Sequence, residues 1–158
     1  MNTFTNINKN IFNQSLKYTA ASKDPATFIG GVPKRVPHVS EGIHVGVIKH
    51  VDAKVASNGN NYIQITILLE EMGQEKDLKL TLFPNANYNS FYYQNLSVLL
   101  GDEENPFNPI EPFNKNILMG KIIEFEVGYE NDRSKNGQIS VVKHIIREIK
   151  TTLDDFNS

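Results

Sequence analysis

The chain has 158 residues, a net charge of −2 and an isoelectric point near 6.1, which argues against bulk electrostatic attraction to nucleic acid or membranes. It has no cysteine, so disulfides and thiolate metal sites are excluded, and its apolar runs are far too short for a membrane span. The length suits one ordinary domain with some tail, enough to bury a core. No charged start followed by an apolar run opens the chain, so no secretory signal is expected. The protein is expected to be soluble and intracellular.

Residues 1–41 hold Lys9, Lys17, Lys23, Lys34 and Arg35 against Asp24 and Glu41, a net of +3, which leaves −5 on the rest. The first 24 residues are rich in Asn, Thr, Ser and Lys. Phe4, Ile7, Ile11, Phe12 and Leu16 are spaced loosely enough for a short helix. Pro25, Gly30, Gly31, Pro33 and Pro37 favour an extended segment. The whole of 1–41 therefore reads as an extended basic arm rather than a domain, with its scattered charges solvating it.

Three strand-like runs follow. Ile43 to Val55 carries Ile43, Val45, Val47, Val51 and Val55; Gly46 inside it points to a bulge or sharp coil. Asn61 to Glu70 alternates Ile63, Ile65, Ile67 and Leu69 with Tyr62, Gln64, Thr66 and Leu68. Lys76 to Phe83 alternates Leu78, Leu80 and Leu82 with Asp77, Lys79, Thr81 and Phe83. Period-two alternation with β-branched enrichment predicts half-buried strands. Ser57-Asn58-Gly59-Asn60 and Glu71-Met72-Gly73-Gln74 supply the turns.

Pro84 stops the third strand. Phe91, Tyr92, Leu96, Leu99 and Leu100 then fall at helical spacing, and Gly101 is placed to end the helix. The Phe91-Tyr92-Tyr93 cluster suits base stacking, but at helical spacing it reads as core. After a Pro-rich loop, Lys121 to Tyr129 and Gln138 to Arg147 predict two more strands, joined by Glu130 to Gly137. Three strands, a helix and two strands is the order of the OB-fold. The predicted fold is all-β with one helix: a five-stranded OB barrel over 42–147, the helix between strands three and four, the extended arm before it and an acidic polar tail over 148–158.

The run Gly42-x-x-x-Gly46-x-Ile48, then SNGNNYIQITILLE, KDLKLTLF, a helix closing in Leu-Leu-Gly, and GKIIEFEV resembles small phage-encoded single-stranded DNA-binding proteins with an OB-fold. The resemblance covers about residues 42–147. It implies cooperative, sequence-independent coating of single strands in phage replication or recombination, a homo-oligomer, and work in the host cell cytoplasm. Many proteins of that function end in an acidic tail with an aromatic tip that recruits partners. LDDFNS, with Asp154, Asp155 and Phe156, resembles a thin version.

Binding of single strands needs a basic groove and aromatic faces on which bases stack. If Ile63, Ile65, Ile67 and Leu78, Leu80, Leu82 face the core, then Tyr62, Gln64, Lys79 and Phe83 lie outside. Tyr62 and Lys79 are expected side by side. Lys54 and Asn58 would flank that face from the first loop and Arg133 and Lys135 from the last, with Tyr129 nearby. The competing reading makes Tyr62 and Phe83 ordinary strand residues covered by the arm. No strongly basic stripe is visible.

Catalytic patterns are poor. His44, His50 and His144 lack a fourth ligand at defined spacing for zinc. Glu124 and Glu126 share a strand face and read as solvated. There is no nucleophile elbow, phosphate loop or cysteine nucleophile. A non-catalytic binder of single-stranded DNA without cofactor is expected. The alternatives are a phage structural or assembly protein that hooks onto neighbours with its arm, and an RNA-binding module.

Overall fold

The computed structural model describes residues 9–21, 30–31, 34–134 and 136–150. The chain forms two compact units, Met1–Val32 and Pro33–Ser158. Lys135 and the tail over 151–158 lie outside the described residues, and with them the readings placed there.

In the first unit, helix α1 spans Lys9–Ala21. The sequence reads as extended over the arm as a whole, but this stretch is helical, as the spacing of Ile11, Phe12 and Leu16 allows. No proline or glycine interrupts it, and Leu, Lys, Gln and Ala are good helix formers. Its side chains Ile11, Phe12, Leu16 and Tyr18 are exposed.

The second unit contains strands β1 (Gly42–Val55), β2 (Asn61–Glu71) and β3 (Gln74–Leu82), helix α2 (Phe91–Leu99), a 3-10 turn (Lys115–Leu118), and strands β4 (Ile122–Asn131) and β5 (Gln138–Ile149). The strands form one antiparallel sheet in the order β3-β2-β1-β4-β5. Among the described residues the fold is thus mostly β with two α-helices, one more than the predicted fold has. Strand β1 serves both halves of the sheet. Its first half pairs with β4 from Gly42↔Val127 to Val47↔Ile122, and its second half pairs with β2 from Val47↔Leu68 to Val55↔Asn61.

Gly46 has a different role from the bulge expected of it. A Cβ there would lie 2.7 Å from the Leu68 carbonyl oxygen and 2.8 Å from Ile67 Cγ2, so glycine permits the close approach of β2. The register shift falls between Ile48 and His50, which makes Lys49 the extra residue. Both central residues of the β2–β3 turn have positive φ, Met72 at 54° and Gly73 at 76°, the geometry whose twist matches a two-residue hairpin.

Alternation sets the faces of β2 and β3 as predicted. Ile65, Ile67, Leu69, Leu78, Leu80 and Leu82 are buried. Helix α2 closes over this core. Ser90 caps it by accepting a hydrogen bond from the Tyr93 amide at 3.0 Å, and it buries Tyr92, Leu96 and Leu99 while Phe91 stays exposed. Asn95 is fully buried yet satisfied. Its Nδ2 donates to the Phe91 carbonyl at 2.8 Å, and its Oδ1 accepts from the Ile145 amide at 2.7 Å. That bond ties α2 to β5 beside a register shift of the β4–β5 ladder.

The two outer strands, β3 and β5, come close to one another but share no hydrogen-bonded ladder among the described residues. At the level of strand pairing the expected closed barrel is therefore an open five-stranded sheet. Residues 34–40 link its two edges. His38 Nε2 donates to the Asp77 carbonyl on β3 at 2.8 Å. The Val39 amide donates to Ser140 Oγ on β5 at 3.0 Å, and that hydroxyl donates back to the Val39 carbonyl at 2.7 Å. Val39 is itself core, 1% exposed. Arg35 forms a single parallel bridge with Gly137. This stretch is a strap built into the sheet unit, which explains why the compact unit starts well before β1.

Candidate nucleic-acid interface

The outer face of β1–β3 can be built row by row from the register. Lys54 on β1 sits opposite Tyr62 on β2, and the Tyr62 ring meets Phe83 just past β3, with centroids 5.4 Å apart and planes tilted by 42°. The next row is Asp52, Gln64 and Thr81, and the third is His50, Thr66 and Lys79. Lys54 Nζ donates to Gln64 Oε1 at 2.9 Å. His50 lies 2.8 Å from Asp52, and Lys49 lies 3.2 Å from Asp77. Neither Lys54 nor Lys79 has an acidic partner among the described residues. The face therefore presents an aromatic pair at one end, Asp52 and hydrogen-bonding side chains in the middle, cations in the first and third rows, and the acids Asp77, Glu70 and Glu75 beyond them.

The structure corrects the placements of Lys79, Lys54, Tyr129 and Arg133. Lys79 is not beside Tyr62: it faces Thr66, four residues further along β2, about 13 Å away at the strand rise. The cation next to Tyr62 is Lys54, which lies within β1 rather than in the loop. Tyr129 pairs with Ser140, a buried residue whose hydroxyl holds Val39. It therefore occupies the core-facing side of β4, half-buried, and does not share the Tyr62 surface. Asn58 sits in the β1–β2 turn as expected, but its Oδ1 accepts the Asn60 amide at 3.0 Å; it shapes the turn.

Arg133 lies elsewhere, in a groove of about 820 Å³ lined also by Lys34, Arg35, Val36 and Pro37 of the strap. The β4–β5 loop is fastened to that strap. The Arg35 amide donates to the Asn136 carbonyl at 2.8 Å, and the Gln138 amide donates to the Arg35 carbonyl at 3.2 Å. The Arg35 guanidinium stands 3.4 Å from Asp132. The Ser134 hydroxyl, and then Arg35, hold the Asp132 carboxyl below its ordinary range. A second groove of about 530 Å³ lies between strap and β3, lined by Arg35, Val36, His38, Leu78, Lys79 and Ile139 among others. Sequence reasoning counted Lys34 and Arg35 as solvating charges of an arm. The missed signal is Val39, an apolar residue in the middle of the supposed linker.

Acidic side chains also stand on this face, Asp52 beside Gln64 and, past the Lys79 row, Asp77 opposite Leu68 and Glu70 opposite Glu75; others lie elsewhere on the unit. Asp102, Glu103, Glu104 and Glu111 are exposed in the loop after α2, and Asp102 lines a hollow with Lys121, Arg147 and Glu148 of the β4–β5 half. Glu124 and Glu126 do not pair with each other. Arg147 lies 3.4 Å from the first, and His144 lies 3.4 Å from the second.

Ser40, His44 and Glu71 superficially resemble a nucleophile with its base. The hydroxyl, however, donates directly to Glu71 Oε2 at 2.5 Å, and His44 Nε2 donates to the Ser40 carbonyl at 2.7 Å. The imidazole is thus not placed to take the serine proton. The cluster clips strap to hairpin. The Ser40 hydroxyl, helped by Lys76 at 3.0 Å, holds the Glu71 carboxyl down to about 2 from its ordinary 4.5. A depressed carboxyl stabilises the fold fully above the unfolded value, and that contribution disappears as pH falls through the folded one. The melting temperature should therefore drop between pH 4.5 and pH 2 by more in the wild type than in Glu71→Gln. Equal acid dependence in thermal melts of the two proteins would show that the clip carries no stability.

Among the described residues no three His, Asp or Glu side chains are grouped to hold a metal ion, and no helix is long and apolar enough to cross a membrane. Neither a protein-family profile nor a curated protein sequence matches this chain.

Proposed function

We propose that this protein binds single-stranded nucleic acid, DNA foremost, with little sequence preference, through the outer face of β1–β3. The observation that carries the reading is the pairing of half-buried Tyr62 with exposed Phe83, with Lys54 and Lys79 on the same face. An aromatic face accepts any base, and cations without an acidic partner suit phosphate. The fold reading goes with it. A sheet ordered β3-β2-β1-β4-β5, a first strand shared by both halves, and a helix between β3 and β4 support an OB-like barrel in which the strap fills the seam between β3 and β5. The resemblance to phage single-strand binders adds a setting: replication or recombination in the host cytoplasm, with no catalytic step.

The second reading, an assembly protein, draws on α1, whose Phe12 and Leu16 are exposed on a separate unit. One experiment separates the two. Titration with oligo-dT should quench tyrosine fluorescence, with an affinity that falls as salt rises, and gel shifts should rank single-stranded DNA above duplex DNA. No quenching, together with large particles in solution, favours assembly. Equal or tighter binding of RNA moves the preference to RNA.

A further inference from the structure

We propose that the strap and the β4–β5 loop form a second half of the nucleic-acid site that reads only the sugar–phosphate backbone. This rests on the reading that the outer face of β1–β3 binds single strands. The two strap grooves share Arg35 and Val36 in their linings, so they adjoin there as two parts of one strap surface. One part is lined by His38 and Lys79, the other by Lys34 and Arg133. Its acids are already engaged: Asp77 with Lys49 at 3.2 Å and Asp132 with Arg35 at 3.4 Å. Lys34, Lys79 and Arg133 have no acidic partner among the described residues. Among the described residues no Phe or Tyr lines either groove; Val36, Pro37, Leu78 and Ile139 supply the apolar wall.

Positive charge without stacking surface suits phosphates and is indifferent to bases. The backbone hydrogen bonds from Arg35 to Asn136 and Gln138 hold the groove open before any ligand arrives, which lowers the ordering cost of binding. The consequence is a length threshold. The stretch from Tyr62 to Lys79 spans about 13 Å, room for roughly four stacked nucleotides at about 3.4 Å each. A strand must be longer than that to reach Lys34 and Arg133.

The test uses the full chain, oligo-dT of about 4 and about 15 nucleotides, bracketing the range one OB domain covers, and an abasic deoxyribose-phosphate oligomer of the longer length. Lys34→Ala/Arg133→Ala changes two exposed side chains and should leave the melting temperature unaltered. It should leave the short oligonucleotide unaffected. With the long one it should flatten the slope of log K against log salt by about 1.4, two phosphates' worth, and it should abolish binding of the abasic oligomer. Tyr62→Ala should do the opposite, weakening both oligo-dT ligands and sparing the abasic one. If the double variant binds the long and abasic ligands like wild type while Tyr62→Ala still weakens oligo-dT, the strap is not part of the site and this inference alone fails. If neither variant alters oligo-dT binding, the β1–β3 face is not the site and the proposed function falls with it.

Discussion

Ile65→Asp should abolish cooperative folding of the sheet unit. Ile65 is fully buried at the centre of β2, with Val51 of β1 and Leu80 of β3 directly opposite on either side. An unpaired carboxylate there costs about 3–5 kcal/mol, and loss of the apolar side chain adds about 2–5 kcal/mol. The sum rivals the whole stability of an ordinary domain, about 5–15 kcal/mol. Protonation of the carboxyl softens the first cost but still leaves a buried polar group. The variant should show no sigmoidal melt by circular dichroism, or one at least about 15 °C lower. Thr66→Asp is the control, because Thr66 sits on the outer face opposite Lys79 and should melt near the wild type. If Ile65→Asp melts like the wild type and Thr66→Asp unfolds, the faces of the sheet are assigned backwards.

Tyr62→Ala should weaken single-strand binding by about 1–3 kcal/mol, roughly 5- to 150-fold in Kd, with the salt slope nearly unchanged. The lost interaction is a ring face, and no counterion release goes with it. Tyr62→Phe keeps the ring against Phe83 and should retain most of the affinity. Lys54→Ala and Lys79→Ala should each cost less and flatten the slope by about 0.7, one phosphate on a single strand. Lys54 stands in the Tyr62 row and Lys79 two face positions away, so Lys54→Ala should act on the shortest ligands and Lys79→Ala only once the strand spans the face. None of these variants should shift the melting temperature by more than a few degrees, since none of the side chains belongs to the buried core. Wild-type affinity in all four would remove this face as the binding surface.

The faces, turns and composition of this surface follow from the sequence alone. A strand turns each successive side chain to the opposite side, so the positions of Ile63, Ile65 and Ile67 oblige Tyr62 and Gln64 to point outward wherever the strand pairs. Gly59 and Gly73 mark their turns because both take a positive φ, 86° and 76°, that most residues avoid. The α2 helix is likewise legible from the spacing of Tyr92, Leu96 and Leu99. The β2–β3 register is also implicit in the turn: Glu71-Met72-Gly73-Gln74 closes at Glu71↔Gln74, which sets Lys79 opposite Thr66 rather than Tyr62. The core-facing side of Tyr129 follows from its alternation with Ile123, Phe125 and Val127, whereas the bulge at Lys49 depends on partners across the sheet. The strap is the strongest case. Val39 and Ser140 are 101 residues apart in sequence and exchange two hydrogen bonds, and no periodicity within Lys34–Ser40 announces that contact. Local pattern reports the direction of a side chain. Burial, pairing and the gathering of Lys34, Arg35 and Arg133 around one groove require surfaces that exist only when distant segments meet.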